Sequence, residues 1–297
     1  MSELTSCVTG RAFLESPRWH DGALYLSDMF ADEVLRVSAD GEVSTVVEVE
    51  QPSGLGWLPD GTLLISSMAQ RRVLRFDGER LTEHADVRAV AAQEINDMVV
   101  DRHGTAFLGQ FGFDPRSGGA PVAADLIRIS AGGAVSVAAT GLNFANGMAI
   151  TTDGSTLLVA ESIGQCITAF TLSDDGVLTD RRVWAKVDGF PDGIAVDREN
   201  GVWFASPVSS QFLRVIDGGE VTDTVDTPGP HGIACTRWRR RPHPVHADVD
   251  ISRRPGAGRE GSWCVGAQHA GRRPGRIVGC AGPSGTDIAH LLRGFPD

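Results

Sequence analysis

Five stretches of this chain can be laid over one another, and that repetition restricts the fold more than any other feature. They are SPRWHDGALYLSDM, SGLGWLPDGTLLISSM, NDMVVDRHGTAFLGQF, NGMAITTDGSTLLVAES and DGIAVDRENGVWFASP. Each reads as a small or turn-forming residue, a short apolar strand, a tight turn and a second strand. The glycines expected to close the turns are Gly22, Gly61, Gly104, Gly154 and Gly201, so the period runs from 39 to 50 residues. A third strand follows in every unit (DEVLRVSADG, RRVLRFDGER, DLIRISAGG, CITAFTLSDDG, FLRVIDGGE), then a more polar fourth, such as EVSTVVEVE or EVTDTVDT.

Four antiparallel strands grading from apolar to polar, repeated at this period, predict an all-β chain folded as a β-propeller. A β-sandwich also supplies short strands, but it gives no reason for one four-strand order to recur. The best helical candidate, ADVRAVAAQ (85–93), is expected to be loop. A sixth unit opens at PHGIACT (230–236) and then loses the pattern.

Aligning the units on the middle of the first strand (Trp19, Trp57, Val100, Ile150, Val196, Cys235) places Glu15, Ser53, Asn96, Asn146, Asp192 and His231 in one column, four residues earlier. In a propeller this position lies where the chain enters the innermost strand, so the column converges on the central channel. Asn, Asp and Ser are common before strands because they favour turns, so any single member has an ordinary structural explanation. Glu15 is a poor turn former, and a carboxylate in a channel is costly unless it is paired or bound to a cation. Glu15 and Asp192, with amide oxygens from Asn146 and Asn96 as further donors, make an all-oxygen set that suits a hard divalent ion such as Ca²⁺ or Mg²⁺. His231 is read as a substrate contact or spacer outside the metal set.

The segments ESPRW, NDMVVD, NGMAITTDG and PDGIAVD resemble, in register over residues 12–235, those of the senescence marker protein, gluconolactonase and luciferin-regenerating enzyme family. The resemblance implies a six-bladed propeller with one divalent cation in the channel, Ca²⁺ first, with Zn²⁺, Mg²⁺ or Mn²⁺ as alternatives. It further implies Glu15, Asn146 and Asp192 as ligands, Asn96 beside the ion, and hydrolysis of a small lactone or related ester. In this reading the metal polarises the carbonyl and Asp192 takes the proton of the attacking water. A phosphotriesterase on the same site and a non-catalytic binding propeller are the alternatives. One departure bears on substrate: sugar-lactone members carry an arginine two residues before the position of Asn96, and here that residue is Glu94. The segment GQFGFDPRSGGAPVAAD (109–125), with Phe111 and Phe113, is an insertion that covers the site or is a plain surface excursion.

The net charge of -11 disfavours nucleic acid or an anionic membrane as partner. No apolar run reaches the roughly 20 residues of a transmembrane helix, and the first residues lack a signal-peptide pattern, so a cytoplasmic location is expected. The five cysteines form no CxxC pair, which points to reduced, structural thiols. From Thr236 the composition changes abruptly: the tail holds eleven arginines, no lysine and five acidic residues. The sequence therefore divides into a propeller domain, 1–235, and an atypical Arg-rich tail, 236–297, for which three readings compete, a basic tail for nucleic acid, a disordered extension and a frame-altered remnant of blade six, the last being favoured because the change falls inside a repeat. The sixth blade is accordingly expected to be incomplete or disrupted. TSCVTGRAF near the N-terminus is the expected closing strand.

Overall fold

The computed structural model describes residues 3–114, 120–227, 231–237, 262–268 and 276–281; for 3–7 and for the segments beyond 230 the description is of backbone alone. The chain is an all-β propeller. Five blades are each built from four consecutive antiparallel strands, at residues 14–48, 52–86, 95–142, 145–186 and 194–226. In each the innermost strand is largely buried and the outermost largely exposed, as Pro52–Trp57 and Leu81–Asp86 illustrate in blade two. Of residues 85–93, expected to be loop, Ala85 and Asp86 end a strand and 87–93 form turns, with no helix. Among the described residues no helix is long and apolar enough to cross a membrane.

Five blades are thus described in full, one fewer than the six expected. A further four-stranded sheet joins Glu3–Arg11, Ser262–Gln268, Arg276–Ala281 and His231–Arg237 in that order. Its innermost strand, His231–Arg237, lies against both Leu14–His20 and Ile194–Val196. The N-terminal strand was anticipated. The strands at 262–268 and 276–281 fall where the sequence shows no strand pattern, and the remainder of the 236–297 tail lies outside the described residues.

Apolar side chains weld each blade to the next. Leu64 and Val73 of blade two pack with Met98 and Leu108 of blade three. Phe107 and Leu126 of blade three pack with Met148 and Leu157 of blade four. Leu158 and Trp184 of blade four pack with Ile194 and Phe204 of blade five. Each such buried side chain contributes about 1.5–3 kcal/mol, so the core is a set of interblade seams surrounding the axis.

The hairpin turns explain the repeat. Gly22, Gly61, Gly104 and Gly154 all have positive φ, where a side chain would be strained. The fifth expected glycine does otherwise: Asn200 takes the positive φ (59°), and Gly201 makes room for Arg214, whose guanidinium would meet a Cβ at 2.3 Å. An aspartate caps the turns of blades two to five. Asp101 Oδ1 accepts from the backbone N–H of His103 and Thr105, and Asp197 Oδ1 from that of Glu199 and Gly201.

Candidate functional site

Regular alternation would send every second residue of an inner strand away from the axis, but these strands are not regular. A shift in pairing register falls between Glu15 and Arg18, Pro52 and Leu55, Ile95 and Met98, and Ala145 and Met148. A bulge at the same place in successive blades re-aims the residues it contains. It gathers side chains from separate sheets into one connected group.

That group is hydrogen-bonded across three blades. Ser53 Oγ donates to Asn96 Oδ1 (3.4 Å), Asn96 Nδ2 donates to Asn146 Oδ1 (3.1 Å), Asn146 Nδ2 donates to Ser162 Oγ (3.1 Å), and Ser162 Oγ donates to Pro191 O (2.7 Å). The Asn146 side chain also bonds the Asp192 carboxylate. Serines on second strands hold the backbone of the neighbouring blade: Ser27 Oγ donates to Ser53 O (2.6 Å) and Ser66 Oγ to Asn96 O (2.9 Å). At the equivalent position of blade three stands Gly109, whose added Cβ would lie 2.3 Å from Ala145 O, so the backbone itself closes the gap.

Glu15 and Asp192 come from blades one and five and feel each other. The Glu15 carboxyl is held well above its usual range by burial, then by the charges of Asp192 and Asp97, with Arg18 opposing. Asp192 is pushed up to about 8 by burial and by Asp97, with the Asn146 hydrogen bond opposing. Both side chains are half-buried. Two acids with raised proton affinity in one enclosure mark a place short of positive charge.

Asp97 is the residue that sequence reasoning missed. It is 5% exposed and accepts from Ser16 Oγ, from Arg18 Nη2 (2.7 Å) and from the backbone N–H of Met98 (2.7 Å). Arg18 also donates to Met98 O (2.8 Å). The guanidinium of blade one is therefore committed to blade three. A signal was available: the residue after each ring position is Ser16, Gly54, Gly147, Gly193 and Gly232, small in every unit except at Asp97.

Of the other expected site residues, Glu94 is partly exposed and its backbone carbonyl accepts from Phe111 N (3.1 Å). His231 begins the strand that faces blades one and five, where the backbone alone is described. Phe111 and Phe113, from the blade-three insertion, pack on Phe144 at centroid distances of 4.6 and 5.8 Å. Residues 115–119 of that insertion lie outside the described residues.

The donors present suit a hard cation. Carboxylates of Glu15 and Asp192 supply charge, and Asn146 Oδ1 has a second lone pair beyond the one that Asn96 uses. Among the described residues no three His, Cys, Asp or Glu side chains cluster as a metal site, and the expected set takes one of its donors from an amide.

Comparison with known proteins agrees with the architecture. The chain is 26% identical to a 6-deoxy-6-sulfogluconolactonase of Pseudomonas putida over 252 residues, covering 80% of this chain and 81% of the relative. A luciferin-regenerating enzyme structure superposes with a TM-score of 0.71 at 16% identity, covering 95% of this chain and 96% of the other. A calcium-binding protein, regucalcin from Agrobacterium tumefaciens, does so at 0.67 and 16% identity, covering 92% of each. Residues 13–238, which include every blade described in full and the whole ring of polar side chains, match the SMP-30/Gluconolactonase/LRE-like region, and the chain belongs to that family.

Proposed function

We propose that this protein hydrolyses a small lactone at the axis of a six-bladed ring, with a divalent cation held by Glu15, Asn146 and Asp192. The observation that carries this reading is the pair of half-buried acids, Glu15 and Asp192, near enough for the charge of Asp192 to raise the proton affinity of Glu15, while Arg18 pairs with Asp97. A cation bound there supplies Lewis-acid polarisation of the lactone carbonyl and stabilises the oxyanion that forms on it.

The protein's own groups do the rest. Asp192, fixed by Asn146, is placed to take the proton from a water attacking the carbonyl carbon. Burial and the Asp97 charge push Asp192 up to about 8, so it would act as a base at neutral pH once a cation bound beside it had offset that rise. Asn96 lies next to Asn146 in the hydrogen-bonded chain and is assigned to holding the substrate, with Glu94 and His231 as further substrate contacts. Ca²⁺ is the first choice of cation on the all-oxygen donor set. The sixth blade is assigned to the sheet containing His231–Arg237, closed by the N-terminal strand Glu3–Arg11. The family match ends at residue 238, beside the change in composition that led us to separate 236–297 from the rest.

The test is a panel of lactones and phosphotriesters assayed after EDTA and after adding back Ca²⁺, Mg²⁺, Mn²⁺ or Zn²⁺. Lactone hydrolysis should disappear and return, and Asp192→Asn should abolish it while the β-rich circular dichroism persists. Unchanged lactone turnover in both Asp192→Asn and Glu15→Gln would remove the mechanism.

A further inference from the structure

Ser162 carries a hydroxyl where the fold does not ask for one. Its backbone N–H donates to Phe144 O (3.0 Å), and Met29, Met68 and Phe111 make the same bond to Phe13 O, Gln51 O and Glu94 O in blades one to three (2.8, 3.0 and 3.1 Å). Those blades therefore close with an apolar side chain at this place. In blade four the residue is fully enclosed and its side chain touches the polar ring: Ser162 Oγ lies 2.7 Å from Pro191 O and 3.1 Å from Asn146 Nδ2.

These two contacts have a fixed direction. A carbonyl oxygen can only accept, so the single hydroxyl proton of Ser162 goes to Pro191 O. What Oγ has left is lone pairs, and the group facing them must donate. Asn146 therefore turns its NH₂ to Ser162 and its Oδ1 to the other side. There Oδ1 meets the side chain of Asn96, which must present its own NH₂ (3.1 Å) and leave its oxygen to Ser53 (3.4 Å). The Asn146 side chain also bonds Asp192, but a carboxyl group accepts as the anion and donates as the acid, so that contact leaves the direction open. Ser53 leaves it open too, because a hydroxyl rotates to donate or to accept. Among the partners along this chain only the Pro191 carbonyl has a single role, and Ser162 is what links it to the amides.

We infer that Ser162 is a positioning residue: anchored on Pro191 O, it turns the Asn146 amide so that an oxygen, and not an NH₂ group, is offered to the cation; this rests on the metal reading above, in which Asn146 is a ligand. A reversed amide would aim N–H groups at a hard cation that takes oxygen. The same anchor sets the direction of Asn96, one step further along the chain.

The experiment is a double-mutant cycle of Ser162→Ala and Asn146→Asp in the full chain, read by calorimetric titration of EDTA-treated protein with Ca²⁺, each variant first checked for its β-rich circular dichroism. Ser162→Ala should weaken Ca²⁺ binding by about 10- to 100-fold. In the Asn146→Asp background an oxygen is presented whichever way the side chain turns, so the same Ser162→Ala change should cost roughly twofold or less. No loss in the first background, or an equal loss in both, overturns the inference. Neutron diffraction from crystals in D₂O reads the orientation with no cation present. Deuterons of the Asn146 amide on the Ser162 side in the parent, and a reversed or mixed amide in Ser162→Ala, support it; an amide reversed in the parent, or unmoved in Ser162→Ala, overturns it. If the parent binds none of Ca²⁺, Mg²⁺, Mn²⁺ and Zn²⁺, the metal reading fails, and the nuclear density decides the orienting role by itself.

Discussion

Replacing Gly147 with alanine tests whether the site depends on close contact between two blades. Gly147 follows Asn146 inside the bulge of blade four, and its N–H donates to Asp192 O (3.2 Å). An added Cβ would meet Asp192 O at 2.5 Å, Gly193 Cα at 2.6 Å and Ile194 N at 2.6 Å, all backbone, whereas ordinary contact begins at 3.4 Å. Blade five must then retreat by about 1 Å, a backbone shift of the kind that costs roughly 1–3 kcal/mol. Loss of the hydrogen bond adds about 1 kcal/mol. For a chain of this size the sum lowers the melting temperature by roughly 5–10 °C. The displaced residue is Asp192, and a misplacement of about 1 Å at a reacting group costs on the order of 100-fold in rate. Differential scanning calorimetry with and without Ca²⁺, together with lactone turnover, reads both effects. Gly132→Ala is the control, because its Cβ would have just one neighbour, Ser130 Oγ at 3.9 Å, and it should melt like the parent. A Gly147→Ala protein that melts with the parent and responds equally to Ca²⁺ would refute the idea that blade contact sets the ring.

The acids also predict a pH dependence. Glu15 and Asp192 have raised folded-state pKa values, so their contribution to stability is fully present below the unfolded value and lost as pH rises through the folded one, about 8 for Asp192. EDTA-treated protein should therefore melt lower at pH 8.5 than at pH 5.5, and Ca²⁺ should raise the melting temperature more at the higher pH; equal shifts at both would contradict this. Truncation after Arg237 removes the strands Ser262–Gln268 and Arg276–Ala281 that pair with Glu3–Arg11 and His231–Arg237. Exposed edges on both sides of the gap should then drive aggregation, seen by light scattering, and a monomeric truncated protein with the parent's melt would show that the tail closes nothing.

Much of the fold was legible because the hairpins announce themselves. Four turn glycines sit where φ must be positive, and the Asp caps and alternating strands repeat around them. The fifth turn hid its logic, since Asn200 could take the strained position and free Gly201 for contact with Arg214. The polar column was legible for the same reason of register. Its cross-links were not, because a bulge breaks the period-two rule that makes strands readable, and nothing in the spacing says that Arg18 reaches across to Asp97. The pairing of 262–268 with the N-terminal strand was also unreadable, as the tail lacks the apolar alternation that marks the other blades.

The ring divides into two parts with different tasks. The amides and serines are satisfied by one another, from Ser53 through Asn96, Asn146 and Ser162 to the Pro191 carbonyl, so they need no ligand to hold their places. The carboxylates of Glu15 and Asp192 are opposite in character, since burial and mutual repulsion leave them holding protons until positive charge arrives. On the proposed metal site, a cation would meet amide oxygens already fixed, and the change it would have to drive is loss of protons from the acids. Such a division keeps the cost of reorganisation low and couples occupancy to pH. Asp97 stands apart from the pair, its carboxylate taken up by Arg18, Ser16 and the Met98 N–H, and from there its charge raises the proton affinity of both acids.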